Sequence, residues 1–161
     1  MKRLVKKAKT LKLYHGTTNK FLDNIKEKGI LCTVDAPQMA TGPASGGYLG
    51  VTDPYNVFLT NQEHIAKYYA NRAVQAFGGE PIVIEVSVNS DNLIVDEDFT
   101  NNAVWNSETK KYELTIPTTG DFVELTEEEY DNFTGEDCLK LMGTVAYRGN
   151  IPASNIINII E

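Results

Sequence analysis

The chain has 161 residues, 42% of them hydrophobic and 23% charged, a composition that suits one globular domain with a real core. No apolar run reaches the roughly 18 residues of a membrane helix, and no apolar stretch follows the basic start as in a signal peptide, so a cytoplasmic chain without membrane contact is expected. The net charge of −7 is uneven: Lys2, Arg3, Lys6, Lys7, Lys9 and Lys12 carry six of the fifteen basic charges, which leaves nine against twenty-two acids and argues against broad phosphate-driven nucleic-acid binding.

Residues 1–10 read as a basic arm and residues 11–161 as the single domain. Residues 11–15, "LKLYH", alternate and read as a strand. Residues 18–28 read as a helix with Thr18 or Asn19 as cap, an apolar face of Phe21, Leu22 and Ile25, and Gly29 as its stop. Residues 30–56 are rich in Gly, Pro, Ser, Thr and Asp and read as a mostly irregular loop, of a length that is usually functional or disordered. "VFLT" (57–60) reads as a strand. The spacing of Ile65, Ala66, Tyr69, Ala73 and Ala76 predicts a helix over 61–77.

Strands are expected at 81–88 and 92–98, and a hairpin around "NSETKKYELTI" within residues 100–120, which also hold Trp105. Residues 126–133 read as an acidic helical turn, with Thr126 and Glu129 as a capping box. "CLKLMGTVAYRG" (138–149) reads as one long strand with a bulge at Gly143, and 151–160 as a turn and a last strand. Helices come early and strands late, which points to an α+β fold with a mostly antiparallel core. Cys32 and Cys138 lie far apart, without metal-ligand spacing, and read as reduced thiols.

The chemistry gathers around "YHGTT". His15 ends the first strand and offers a hydrogen-bond donor. Gly16 lets a ligand come close to a bare backbone edge. The helix after "VFLT" brings Tyr68 and Tyr69 as an aromatic face. Together they describe a slot for a flat ring. His64 falls on the solvent side of its helix and has no metal-binding partner, so no metal is expected. Arg72 and Arg148 read as surface residues.

In order and spacing, "LYHGTTNKFLDNIKEKGI", "VFLTNQEHIAKYYA", "PIVIEVSV" and "VAYRGNIPASNI" resemble the ADP-ribosyltransferase superfamily, in the histidine–tyrosine–glutamate branch that includes the poly-ADP-ribose polymerases and diphtheria-type toxins. The resemblance implies an ADP-ribosyltransferase-like fold of two packed, mostly antiparallel sheets with a few helices, and NAD as substrate. It implies that His15 bonds the adenosine ribose, that Gly16 bonds the nicotinamide carboxamide, and that Thr17 lines the same edge. Tyr69 would stack on nicotinamide. Phe58 stands where the branch usually has a tyrosine. Residues 31–56 would cover the dinucleotide, with Gly46 and Gly47 presenting N–H groups to the pyrophosphate.

The chain departs from the branch at its glutamate. The corresponding window holds Met142, Gly143 and Thr144, none of them acidic. Glu136 and Asp137 lie just upstream and read as a solvated acidic loop, with a bulged strand that brings them in as the alternative, and Glu85 reads as pointing away from the apolar face rather than into a site. The resemblance therefore implies a NAD-dependent mono-ADP-ribosyltransferase of toxin or bacteriophage-effector type. It would act on a macromolecule, a protein in preference to a nucleic acid, in its own or a host cytoplasm. The alternatives are a non-catalytic NAD or ADP-ribose binding module, an RNA 2′-phosphotransferase-like enzyme, and an interaction domain in which the tyrosines are only core.

Overall fold

The computed structural model describes residues 8–36 and 55–161. Most of the arm (1–7), Gly46, Gly47 and most of the covering loop lie outside the described residues. Lys9 belongs to the domain, because its backbone exchanges hydrogen bonds with Ser90 and its ammonium reaches Glu136 at 3.3 Å.

The chain forms β1 (Thr10–Thr18), α1 (Leu22–Lys28), β2 (Asn56–Thr60), α2 (Glu63–Phe77), β3 (Pro81–Asn89) and β4 (Leu93–Ile94). Then follow α3 (Glu97–Asn102), β5 (Val104–Asn106), β6 (Lys111–Thr115), β7 (Phe122–Thr126) and α4 (Glu127–Asp131). The last elements are α5 (Gly135–Met142), β8 (Thr144–Arg148) and β9 (Ile156–Ile160). Six strands form one antiparallel sheet in the order β4-β8-β2-β1-β3-β9, and β5-β6-β7 form a second. The α+β class holds. Among the described residues no helix is long and apolar enough to cross a membrane.

Alternation explains the large sheet. Leu11 and Leu13 of β1 lie opposite Val88 and Val86 of β3, and this face buries them with Ile82 and Ile84 in the main core. The other face of β1 carries Lys12 and Gly16. Glu85 pairs there with Lys12 at 3.4 Å, as its expected outward position requires.

The second sheet has its own core. Phe99, Leu114, Leu125, Cys138 and Met142 pack there, and an aromatic stack joins Phe133 to Phe99 (4.3 Å) and Tyr130 to Tyr112 (3.8 Å). Helix α5 serves both cores, with Leu139 in the first and Cys138 and Met142 in the second. The capping box of Thr126 and Glu129 is present at α4.

Two expectations are corrected. The strand read over 92–98 ends after Ile94, because the Asp96 side chain accepts the Asp98 N–H at 2.9 Å and starts α3. The long strand read over 138–149 is a helix and then a strand. Thr134 and Asp137 form a capping box that opens α5, and Gly143, at φ 75°, closes it in the left-handed region. Helices therefore recur in the second half of the chain. Replacing Thr134 by Ala is expected to lower stability by about 1 kcal/mol, measurable by denaturant unfolding.

Candidate functional site

The site begins with a split in the large sheet. β1 and β3 pair from Thr10–Asn89 to Thr18–Pro81, whereas β1 and β2 meet at Tyr14–Thr60. Beyond that pair the two strands part, and a cavity of about 350 Å³ opens between them, at the lower end of the range for small-ligand pockets. α1, α2 and the first turn of α3 complete its walls.

Five expected site residues meet there: His15, Gly16 and Thr17 from β1, Phe58 from β2, and Tyr69 from α2. Ala66, Tyr69, Ala73 and Phe77 recur at helical spacing along the side of α2 that faces the cavity. Tyr68 does not line it. Its exposed ring stands edge-on to Tyr69, with centroids 5.4 Å apart. His64 is exposed, as expected.

His15 is a donor, as expected, but its partner lies within the protein. Its Nδ1 lies 2.8 Å from the Phe58 carbonyl oxygen, so Nδ1–H donates there and bridges the splayed strands. Burial holds its pKa below the ordinary 6.5, against the smaller upward pull of that hydrogen bond. At neutral pH the ring is uncharged, and Nε2 is left as an acceptor. The ring therefore suits a ligand hydroxyl.

Gly16 is also placed for a different reason. A Cβ on it would lie 1.9 Å from the Ala66 carbonyl oxygen and 2.7 Å from the Ala70 nitrogen. The missing side chain lets α2, with its small Ala66, Ala70 and Ala73, lie directly on β1. The helix uses that room, and the Gly16 backbone still lines the cavity.

The acids resolve differently from the sequence reading. Glu136 pairs with Lys9, and Asp137 caps α5, so both belong to a helix start and neither lines the cavity. Met142 is buried in the second core and Gly143 caps α5, while Thr144 does line the cavity. Among the described lining residues Asp98 is the one carboxylate and Arg72 the one guanidinium. Asp98 was hidden by reading 92–98 as a strand. Its signal was "DED", a helix cap followed by an acidic first turn. Arg72 is exposed as expected but reaches the cavity, and it donates to the Tyr68 hydroxyl at 3.3 Å. Arg148 is exposed and stands apart from it.

Behind this wall lies a second acid. Asp96 is wholly buried, and burial pushes its carboxyl up to about 6. Cys138 touches it and is pushed up to about 12, mainly by burial, so the thiol stays protonated. Among the described residues no cluster of His, Cys, Asp or Glu side chains is arranged to hold a metal ion. No protein-family model matches the chain, and no curated protein matches it.

Proposed function

We propose that the chain binds NAD in the cavity between β1 and β2 and transfers its ADP-ribose to a macromolecule. The observation that carries this reading is the neutral His15 ring, fixed across the split with its acceptor nitrogen left for a hydroxyl, beside the flat rings of Phe58 and Tyr69. In this reading Nε2 of His15 accepts from a ribose hydroxyl. Tyr69 and Phe58 flank the nicotinamide ring, with Phe58 giving a wall but no hydroxyl. Arg72 is the cation nearest to hand for a phosphate. As the bond from nicotinamide nitrogen to the ribose carbon breaks, its electron pair leaves with nicotinamide and positive charge grows on the sugar. In this reading Asp98, the carboxylate among the described lining residues, stabilises that charge. The acceptor's nucleophile then bonds to the sugar carbon and gives up its proton to solvent. A protein acceptor suits the acidic body better than a nucleic acid does.

The window of Met142, Gly143 and Thr144, where the resemblance calls for glutamate and none is acidic, favours a second reading: a non-catalytic NAD or ADP-ribose module on the same site. A phosphotransferase acting on RNA is disfavoured by a described lining that holds one guanidinium and no lysine.

Calorimetric titration of NAD into the wild type and His15→Ala tests the proposal. Affinity should fall at least tenfold in a variant whose circular dichroism is unchanged. A wild type that binds no NAD at millimolar concentration would overturn both NAD readings. Nicotinamide release then separates them. The wild type should release it, and Asp98→Asn should bind NAD within a fewfold of normal while release falls by about a hundredfold or more. Binding without release in the wild type selects the non-catalytic module.

A further inference from the structure

A helix cap needs one acceptor, and asparagine, serine or threonine supplies it without burying a charge. Asp96 brings two oxygens to a site with no solvent exposure. Oδ1 caps α3 by accepting the Asp98 N–H at 2.9 Å. Oδ2 is buried with no hydrogen-bond partner. An unpaired buried carboxylate oxygen weakens the fold, so capping does not account for this acid.

Its neighbours all lead to the cavity wall. The Asp96 N–H donates to Cys138 Sγ at 3.4 Å, and Cys138 Sγ lies 3.5 Å from the Thr144 carbonyl oxygen, to which it donates. Asp98 and Thr144 both line the cavity. A buried acid thus sits behind two wall residues that come from distant parts of the chain, bonded to Asp98 directly and joined to Thr144 through Cys138.

We infer that Asp96 is a positioning residue: its buried carboxylate holds the first turn of α3, and so Asp98, in register with Thr144 across the cavity wall. The consequence for NAD rests on the function proposed above; the coupling of the two wall residues does not. The ionisable groups that face Asp96 are Glu97 and Asp98 on its own helix and the protonated Cys138 thiol of α5. Thr144 of β8, joined to Asp96 through Cys138, does not titrate.

The test compares wild type with Asp96→Asn, which keeps a cap acceptor, and with Thr144→Val, which keeps the shape of the wall. Amide and carboxyl NMR signals are followed without ligand from pH 4 to 8, and NAD binding is measured over the same range. In the wild type the Asp98 and Thr144 amides should move together, with the midpoint of the Asp96 carboxyl carbon. In Asp96→Asn neither should show that midpoint, and in Thr144→Val the Asp98 amide should still show it. NAD affinity should fall at least tenfold from pH 7.5 to pH 5 in the wild type. It should be weak and nearly flat with pH in Asp96→Asn, the His15 ring signals separating that residue's own protonation. If the Asp98 amide follows Asp96 and Thr144 does not, Asp96 is a plain helix cap and the inference fails. Equal NAD affinities and pH profiles in wild type and Asp96→Asn also overturn it. If the wild type binds no NAD at any pH, the proposed function fails, and the paired amide titrations still decide the coupling.

Discussion

Replacing Gly16 by Ala is expected to destabilise the protein by on the order of 3 kcal/mol or more, a fall in Tm of roughly 6–12 °C for a chain of this size. A Cβ 1.9 Å from the Ala66 carbonyl oxygen cannot be accommodated by a rotamer change, because the atoms it meets are backbone. Helix α2 must move off β1, or the fold must give way. Either response also withdraws Tyr69 and Arg72 from the cavity, so under the proposed function NAD affinity should fall together with stability. Thermal unfolding by calorimetry decides between two views of this glycine. A loss of binding with Tm within about 2 °C of the wild type would mean that the room at Gly16 serves the ligand instead of the helix.

Asp96→Asn is expected to do the reverse and stabilise the protein above pH 6. The sign follows from linkage. Burial holds the Asp96 carboxyl at about 6 in the folded chain, against an ordinary value of 3.8. Between those values the folded state keeps a proton that the unfolded state releases, so this group lowers stability as pH rises, and its full penalty is present above pH 6. That difference corresponds to about 3 kcal/mol. The gain from Asn should be nearer 2 kcal/mol, because the amide N–H groups then need partners of their own. Urea unfolding of both proteins at pH 4 and pH 8 measures it. They should be nearly equal at pH 4, with the variant ahead at pH 8. Equal stabilities at pH 8 would show that the buried carboxylate is satisfied after all. A stability gain coupled to weaker ligand binding is the usual signature of a strained functional group.

Local patterning was enough for much of this protein. Alternation in "LKLYH" and "PIVIEVSV" predicted β1 and β3, the 3–4 spacing of Ile65 to Ala76 predicted α2, and Thr126 with Glu129 predicted the cap of α4. These signals lie within one element, and burying one face of that element satisfies them. "CLKLMGTVAYRG" failed because apolar runs of this length suit strand and helix alike. The decision fell to the Thr134–Asp137 capping box upstream and to Gly143. "VDED" failed similarly, since the cap at Asp96 outweighed the apolar start.

The sequence by itself determined the α+β class, the positions of the strands that build the main core, and the set of residues around His15, Phe58 and Tyr69 worth bringing together. Tertiary structure alone decided what each of them does. The role of His15 depends on a carbonyl 43 residues away, which takes its N–H and leaves an acceptor. The need for Gly16 depends on a helix lying across it. Asp98 enters the wall, and Asp96 stands behind it, because α3 and β8 meet there through Cys138. A hydrogen-bond role, a close approach and a shifted pKa are properties of a residue's neighbours in space. Local spacing carries no record of which distant atoms those neighbours will be.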